Sequence, residues 1–568
     1  MTVDYNIRVA GEAGQGIQSV GGLIAKAFAG VGMEVFAHQD YMSRVRGGHN
    51  FFQIRVSDRP IAAARGQVDI LIALDQRSID EHTAEVTDGG AIIYDGEKKG
   101  FSCEGVQCFS VPLERLAKEA GNAVMANTVA SAAVWGLFGG KLDILFRLLD
   151  ETFAKKGDKV VADNRNAAQV GYDYARENSG DRFTYSLPNE RQSTKILLRG
   201  VYSAGLGALA AGCRFAAAYP MTPSTPLSEF VATRGEQLGL VFEQAEDEIA
   251  ALHMALGASY AGVRSLVPTS GGGFCLMVEG LGLAGATETP VVIMNGQRPG
   301  PSTGLPTRTE QGDLLFAIRA SHGEFPRAVL APSSVEESFY LMAHAFNVAD
   351  RYQIPVIVLM DQFLVDVYQT VDTPDESKIT IDRGKLWDGT GEYKRHLLTE
   401  DGISPRAFPG ERDALVVTAG DEHDEFGHLV EAAEIRTRQT DKRLKKLSLV
   451  SNDIPEPKIF GGSDAPTAVV GWGSTFGPIN ETLETLAAEG LSLRGVHLSG
   501  LWPFPRERFE EALTGVERVI FVENNATGQL AQLARSQTGI TSNVLVSKYD
   551  GRPFTVEWLA RELRKAAG

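Results

Sequence analysis

Short apolar runs separated by longer amphipathic stretches recur along the whole 568-residue chain. Between Lys195 and about Leu364, residues 215–218, 240–242, 265–268, 291–295, 328–331 and 355–360 read as strands, with helical patterns between most of them. Runs that are apolar throughout, rather than alternating, suit sheets covered on both faces, and βαβ alternation makes such sheets mostly parallel. The chain opens the same way. Residues 6–10 predict a strand, 20–31 an apolar helix, and 69–75 a buried parallel strand ending in the carboxylate of Asp75. Near the C-terminus the alternation returns, with strands expected at 467–475, 493–498 and 519–522 and a helix at 477–488. Polar residues dominate 176–195, which reads as a linker. Residues 365–410 are weakly periodic, 414–418 read as a lone strand, and the charged segment 431–446 as a solvated helix. The expected fold class is therefore multidomain α/β, with domains at 1–185, 195–410 and 411–568, the last opening on that charged segment.

Chemistry concentrates where these elements end. Tyr219-Pro220-Met221-Thr222-Pro223-Ser224-Thr225-Pro226 follows a strand and precedes a helical pattern near Leu227. Three prolines in eight residues exclude a strand or a helix interior. The hydroxyls of Thr222, Ser224 and Thr225 stand at a strand-to-helix junction, where open α/β sheets bind ligands. Taken alone, this reads first as a rigid turn with a helix cap. The tag Glu246-Asp247-Glu248 starts an Ala-rich helix, and an acidic first turn also complements the helix dipole, by about 0.3–1 kcal/mol. Arg298-Pro299-Gly300-Pro301-Ser302-Thr303-Gly304-Leu305-Pro306-Thr307-Arg308-Thr309-Glu310-Gln311 then places two arginines around a Pro/Gly-rich loop, and an arginine fork matches a carboxylate in two hydrogen bonds. Arg308 could instead pair with Glu310 at the surface. Upstream, Gly11-Glu12-Ala13-Gly14-Gln15-Gly16 joins a strand to a helix without meeting the G-x-G-x-x-G dinucleotide spacing. Arg44 and Arg46 precede Gly47-Gly48, a pattern suited to clamping phosphate.

These segments, in this order, resemble the α subunit of the 2-oxoacid:ferredoxin oxidoreductases, most closely the 2-oxoglutarate type. The first segment is similar to that family's Tyr-Pro-Ile-Thr-Pro signature, with Met221 in place of Ile. The N-terminal region, with its Gly14-Gln15-Gly16 turn, resembles the family's γ subunit fused ahead of the α portion, and the C-terminal region resembles a transketolase C-terminal domain. The middle region is then a thiamine pyrimidine-binding type of parallel-sheet domain. The resemblance implies thiamine diphosphate held at Tyr219, Pro220, Thr222 and Glu248, with Glu246 as the fallback carboxylate. Glu248 is preferred because Gly257 and Gly262 follow it as the family pattern has them. It implies oxoacid contacts from Thr222 and Arg298, with Thr307 and Arg308 shaping the side-chain pocket, and makes Glu248, Thr222 and Arg298 the catalytic set. It implies coenzyme A as a substrate facing Gly14, Gln15, Gly16, Arg44 and Arg46. No metal ligand is expected on this chain.

The sequence carries no Gly-Asp-Gly for a diphosphate–magnesium site, and Asn524-Asn525 lacks that upstream partner. Its four cysteines, Cys103, Cys108, Cys213 and Cys275, form no Cys-x-x-Cys, which argues for a reducing compartment and against a cluster held by this chain alone. Magnesium and a [4Fe-4S] cluster are thus expected on a partner β subunit, in an (αβ)2 heterotetramer that reduces ferredoxin. The implied reaction is CoA-acylating decarboxylation of 2-oxoglutarate, or its reverse as a reductive TCA cycle uses it. A branched-chain or other 2-oxoacid on the same scaffold, and outside enzymes a cofactor-free assembly or regulatory subunit, are the competing readings. A formal charge of −17 argues against nucleic-acid binding. With no apolar run of membrane-spanning length and no signal-peptide pattern, a cytoplasmic location is expected.

Overall fold

The computed structural model describes residues 3–43, 47–179, 182–188, 191 and 193–568. The chain divides into two compact units, one of Met1–Leu198, Asp366–Thr373 and Thr555–Trp558, the other of Arg199–Val365, Pro374–Phe554 and Leu559–Gly568.

The first unit is built on an eight-stranded sheet, in the order Gln107–Ser110, Val86–Tyr94, Val68–Ala73, Asp4–Glu12, His49–Ser57, Glu34–Asp40, Tyr368–Val371 and Ile196–Arg199. The first four strands are parallel, and His49–Ser57 runs antiparallel to both of its neighbours. Helix Ile17–Gly30 brings Val20, Ile24 and Phe28 into the core with Trp135 and Phe138, and Phe28 meets both of those rings edge-on. Helix Asp158–Ser179 runs into the polar stretch read as a linker. It is mostly polar but carries Ala167, Ala168 and Gly171 on one face, and that face packs on helix Ala126–Leu137.

The second unit holds a seven-stranded and a five-stranded sheet. The larger is ordered Gly500–Trp502, Ala328–Leu330, Pro355–Asp361, Val291–Gln297, Ser265–Ser270, Phe215–Ala218 and Val241–Gln244. All of its pairings are parallel except that of Gly500–Trp502 at one edge. Its central strands are buried along their whole length, as an apolar run in a doubly covered sheet requires. The five-stranded sheet orders Lys458–Gly461, Arg494–Leu498, Thr467–Trp472, Arg518–Glu523 and Val544–Ser547, and one apolar core runs from it to the larger sheet.

Three expectations are corrected. Residues 414–418 form no strand, and Leu415 is 78% exposed. The segment has strand-like composition but no neighbouring strand to pair with. The charged segment does form a helix, Ala433–Val450, yet it is not simply solvated: Gln439, Lys442, Arg443 and Lys446 are buried. Lys442 Nζ donates to Glu288 Oε1 at 2.6 Å, Lys446 bonds Glu288 Oε2, and His396 Nδ1 lies 3.1 Å from Glu288 Oε1. Burial alone would raise the Glu288 carboxyl, but the two lysines and His396 outweigh it and hold it well below the usual carboxylate range. Finally, Cys103 and Cys108 are joined by a disulfide, against the reducing compartment expected from the cysteine spacing. Among the described residues, no helix is long and apolar enough to cross a membrane.

Candidate active site

The larger sheet of the second unit gathers the sequence-singled segments at the carboxyl ends of its strands. Strand Phe215–Ala218 runs into the Tyr219–Pro226 turn, and helix Thr225–Leu238 follows with Pro226 in its first turn. The Thr222–Pro223 peptide is cis. Ser224 does not offer its hydroxyl to a ligand: Oγ donates to Met221 O at 2.7 Å. Pro223 lies against Gly296, where an added Cβ would stand 3.0 Å from the proline ring. Two residues past Gly296, Arg298 Nη1 donates to Thr222 O at 2.6 Å, which ties the two segments together.

The acidic tag resolves into three different roles. Asp247 caps helix Glu248–Tyr260, accepting from Ala250 N at 2.7 Å. Glu246 is exposed, whereas Glu248, the first helical residue, is only 4% exposed. Glu248 is pressed against Gly273, whose added Cβ would meet Glu248 Oε1 at 2.8 Å and Thr269 Oγ1 at 2.4 Å. Only a residue without a side chain permits that approach.

Gly273 belongs to a Gly271-Gly272-Gly273 turn at the end of strand Ser265–Ser270, which the sequence reading passed over. Gly271 abuts Asp313 Oδ2, and the space beside Gly272 is bounded by Met221 and Ser302 O. All three sequence segments therefore converge on this turn. A strand end followed by three glycines before an apolar residue was the available signal.

Loop 298–313 closes the site. Gly304, at φ 56°, turns it so that Leu305 N donates to Pro299 O at 3.0 Å. Its second half is stapled. Thr309 Oγ1 donates to Asp361, and Gln311 exchanges backbone and side-chain bonds with Asn524 while its Nε2 donates to Trp472 O at 2.9 Å. Asn525 Nδ2 adds a bond to Gln311 O, so Asn524-Asn525 clamp this loop. Thr307 is buried, and the stem of the half-buried Arg308 lies against Gly551. Tyr219 and Pro220 stand exposed at the rim.

The charges in the site are sparsely matched. Burial pulls Arg298 below the usual arginine range, with Asp313 opposing. It raises Asp313, against a hydrogen bond from Asn295 Nδ2 and the pull of Arg298. Burial and Asp313 together push Glu310 up to about 7. Nearby, Ser270 Oγ, Asn295 Oδ1 and Gln297 Nε2 are buried without a hydrogen-bond partner. Native proteins leave few such groups, and those at the strand ends of an open sheet point to a ligand site.

In the first unit, Gly14 faces open space. Gln15 folds back so that Glu12 N donates to its Oε1, and Gly16 lies against the Asn127 side chain. Arg44 and Arg46 lie outside the described residues. The sequence reading missed a chain beside this turn that runs from two buried histidines to an exposed carboxylate: His49 Nε2 lies 2.7 Å from His82 Nε2, and His82 Nδ1 lies 2.9 Å from Glu85 Oε2.

Comparisons with known proteins cover the whole chain. Residues 206–442 match the family described as Pyruvate flavodoxin/ferredoxin oxidoreductase, thiamine diP-bdg, residues 6–174 match Pyruvate ferredoxin/flavodoxin oxidoreductase, and residues 465–559 match Pyruvate:ferredoxin oxidoreductase core domain II. The chain is 34% identical to the 2-oxoacid:ferredoxin oxidoreductase subunit alpha of Saccharolobus solfataricus, over 96% of this chain and 95% of that one. It is 28% identical to the 2-oxoglutarate oxidoreductase subunit KorA of Mycobacterium tuberculosis, over 99% and 91%. Among solved structures, the 2-oxoglutarate:ferredoxin oxidoreductase of Magnetococcus marinus, with 2-oxoglutarate, coenzyme A and succinyl-CoA bound, aligns over 100% of both chains with a TM-score of 0.93 and 35% identity.

Proposed function

The chain belongs to the 2-oxoacid:ferredoxin oxidoreductases as an alpha subunit, and from that premise we propose that it oxidises 2-oxoglutarate to succinyl-CoA and CO2, or runs the reverse carboxylation. It acts with a separate β subunit, in an (αβ)2 assembly in the cytoplasm. That subunit carries the diphosphate–magnesium half of the cofactor site and the [4Fe-4S] cluster that passes electrons to ferredoxin.

The observation that carries this reading is Glu248. A carboxyl group 4% exposed, at the start of a helix and against a glycine, fits the aminopyrimidine ring of thiamine diphosphate. Ser270, Asn295 and Gln297 offer unpartnered polar atoms at the neighbouring strand ends. Thiamine diphosphate, when bound, supplies the carbon nucleophile and the electron sink for CO2 loss. The Glu248 carboxyl would hydrogen-bond the ring nitrogen, which favours the tautomer that activates the nucleophile. Tyr219 and Pro220 border the ring, and Thr222 with Arg298 orients the oxoacid 1-carboxylate. The Arg298 bond to Thr222 O fixes that arginine before substrate arrives. Thr307 and Arg308 receive the far end of the substrate, where a dicarboxylate needs a second cation. Gly14, Gln15 and Gly16, with Arg44 and Arg46, face coenzyme A.

The test is ferredoxin reduction by the chain co-expressed with its β partner, supplied with coenzyme A and 2-oxoglutarate, 2-oxobutyrate or 2-oxoisovalerate. The highest kcat/KM is expected for 2-oxoglutarate. No detectable activity on 2-oxoglutarate would overturn the substrate assignment, and no activity on any 2-oxoacid would leave an assembly subunit as the better reading.

A further inference from the structure

At one edge of the first unit's sheet, His49 and Asp75 each keep a buried polar atom without a hydrogen-bond partner. Strands Asp4–Glu12 and Val68–Ala73 run parallel, side by side, and Leu74 N donates to Ala10 O at 2.9 Å, which carries that pairing to the threshold of Asp75. On the other side of Asp4–Glu12, strand His49–Ser57 pairs antiparallel, with His49 opposite Glu12. Asp75, Glu12 and His49 therefore stand in one row, at the edge from which the Gly14–Gly16 turn departs. The chain enters this row through Gly47 and Gly48, both at left-handed φ, and Asn50 Oδ1 holds the approach by accepting from Met42 N at 2.8 Å.

The His49 ring is only 7% exposed, and one of its nitrogens is committed. Nε2 lies 2.7 Å from His82 Nε2, and His82 Nδ1 lies 2.9 Å from Glu85 Oε2. Arg8 Nη1 is 2.9 Å from the same His82 Nδ1, but Arg8 already donates to Glu85 and Gln53. A carboxylate fixes a histidine's tautomer by accepting its N–H. His82 thus carries its proton on Nδ1 and accepts the one on His49 Nε2. That leaves His49 Nδ1 with a bare lone pair, an acceptor to which nothing among the described residues donates. At the neighbouring strand end, Asp75 Oδ1 caps helix Gln76–His82, accepting from Ser78 N at 2.8 Å and Ser78 Oγ at 2.7 Å, while Oδ2 is buried and unpartnered. Native interiors leave few such atoms, and at the carboxyl ends of parallel strands they mark the crevice where sheets of this kind hold ligands.

We propose that His49 Nδ1 and Asp75 Oδ2 are hydrogen-bond acceptors for coenzyme A, taking its hydroxyl and amide N–H donors rather than its phosphates. An ionised phosphate offers only acceptors and negative charge, so these two atoms do not hold one. The pantetheine arm and the ribose both carry the donors they need. His49 touches the ligand, and His82, Glu85 and Arg8 are positioning residues that set its tautomer. This assignment rests on the reading of the Gly14–Gly16 turn as facing coenzyme A.

The experiment uses the intact complex at saturating 2-oxoglutarate and measures kcat and KM with coenzyme A and with phosphopantetheine as acyl acceptor, and coenzyme A binding by calorimetry. Two amide variants separate contact from packing. His49→Asn keeps a polar atom where Nδ1 stands, and His49→Gln keeps one where Nε2 stands. His49→Gln should raise the coenzyme A KM and Kd about tenfold with kcat and the oxoacid KM unchanged, while His49→Asn stays within about threefold of wild type. The reverse order, with His49→Gln tolerated and His49→Asn damaged, would show that His49 serves only His82 and would overturn the proposal. A His49→Gln penalty that persists with phosphopantetheine supports a contact to the pantetheine arm, and one that disappears supports a contact to the ribose. Arg44→Ala separates the two readings. A raised coenzyme A KM there, beside a normal one in His49→Gln, overturns the acceptor role alone, and normal values in both overturn the coenzyme A-facing turn as well. Should the His49 variants fail to assemble, Asp75→Asn decides, because it keeps the Oδ1 cap and puts an N–H donor in place of Oδ2: an unchanged coenzyme A KM overturns the proposal.

Discussion

Two carboxylate clusters in the second unit make opposite use of the same residue type. Glu288 is fully buried and saturated: Lys442, Lys446 and His396 all contact its two oxygens. His396 in turn reaches Thr418 through Nε2. The cluster around Arg298 is starved. Asp313 has one side-chain donor, Glu310 has none among the described residues, and Ser270, Asn295 and Gln297 keep unpartnered atoms. A saturated charge leaves nothing for a ligand, and its carboxyl is held low. A starved one is costly unless something binds, and its carboxyls are pushed up by burial. The first cluster is therefore scaffold, joining the end of the Val278–Ala286 helix to Ala433–Val450. The second is where chemistry belongs.

Breaking the scaffold cluster should have the largest effect on stability. Glu288→Gln leaves two buried lysines with no carboxylate, at a cost of about 3–5 kcal/mol. Thermal melting of the complex should show the loss, with turnover per folded molecule preserved. Because Glu288 titrates below its unfolded value, its contribution is present above the usual carboxylate range and lost as pH falls through the folded value. The variant's melting temperature should accordingly change less between neutral and acid pH than that of the wild type. A variant that melts like wild type would show the cluster to be dispensable.

The starved cluster should respond in activity instead. Arg298→Ala is expected to lower kcat/KM for every 2-oxoacid alike, by about 2–5 kcal/mol of binding, with little change in melting. Losses confined to one substrate would contradict a partner for the shared 1-carboxylate. Smaller still is Arg308→Ala. Losing one charge-assisted hydrogen bond costs about 1.5–3 kcal/mol, or roughly ten- to a hundredfold in kcat/KM. That loss should fall on 2-oxoglutarate and spare 2-oxobutyrate. Parallel losses on both would remove Arg308 from the side-chain pocket.

Six of the seven strands of the larger sheet were legible to within two residues, most of them because a doubly buried strand must be apolar throughout, while the edge strand Gly500–Trp502 was not. Strand Phe215–Ala218 matches its run fully, and Pro355–Asp361 exceeds its run by one residue. Residues 414–418 show the limit of that argument, since a strand needs a neighbour and composition does not supply one. The buried lysines of Ala433–Val450 were illegible for a related reason. Lys442 and Lys446 look solvated until Glu288, more than 150 residues away in the chain, is placed beside them. The motif segments could be put at strand ends from the sequence, and the structure gathers them along one edge. What sequence could not supply was the inside of the site. Gly271–Gly273, the Gln311 staple and the isolation of Glu310 all depend on distant segments meeting.

The most direct test of the account is ferredoxin reduction by the complex carrying Glu248→Gln, set beside Glu246→Gln, with thiamine diphosphate, coenzyme A and 2-oxoglutarate in excess. Glu248 is buried against Gly273, while Glu246 is exposed. The expected result is that Glu248→Gln melts like wild type yet loses about a hundredfold or more in kcat, the range of an acid–base group, while Glu246→Gln stays near wild-type activity. Full turnover in Glu248→Gln, with loss in Glu246→Gln, would contradict it.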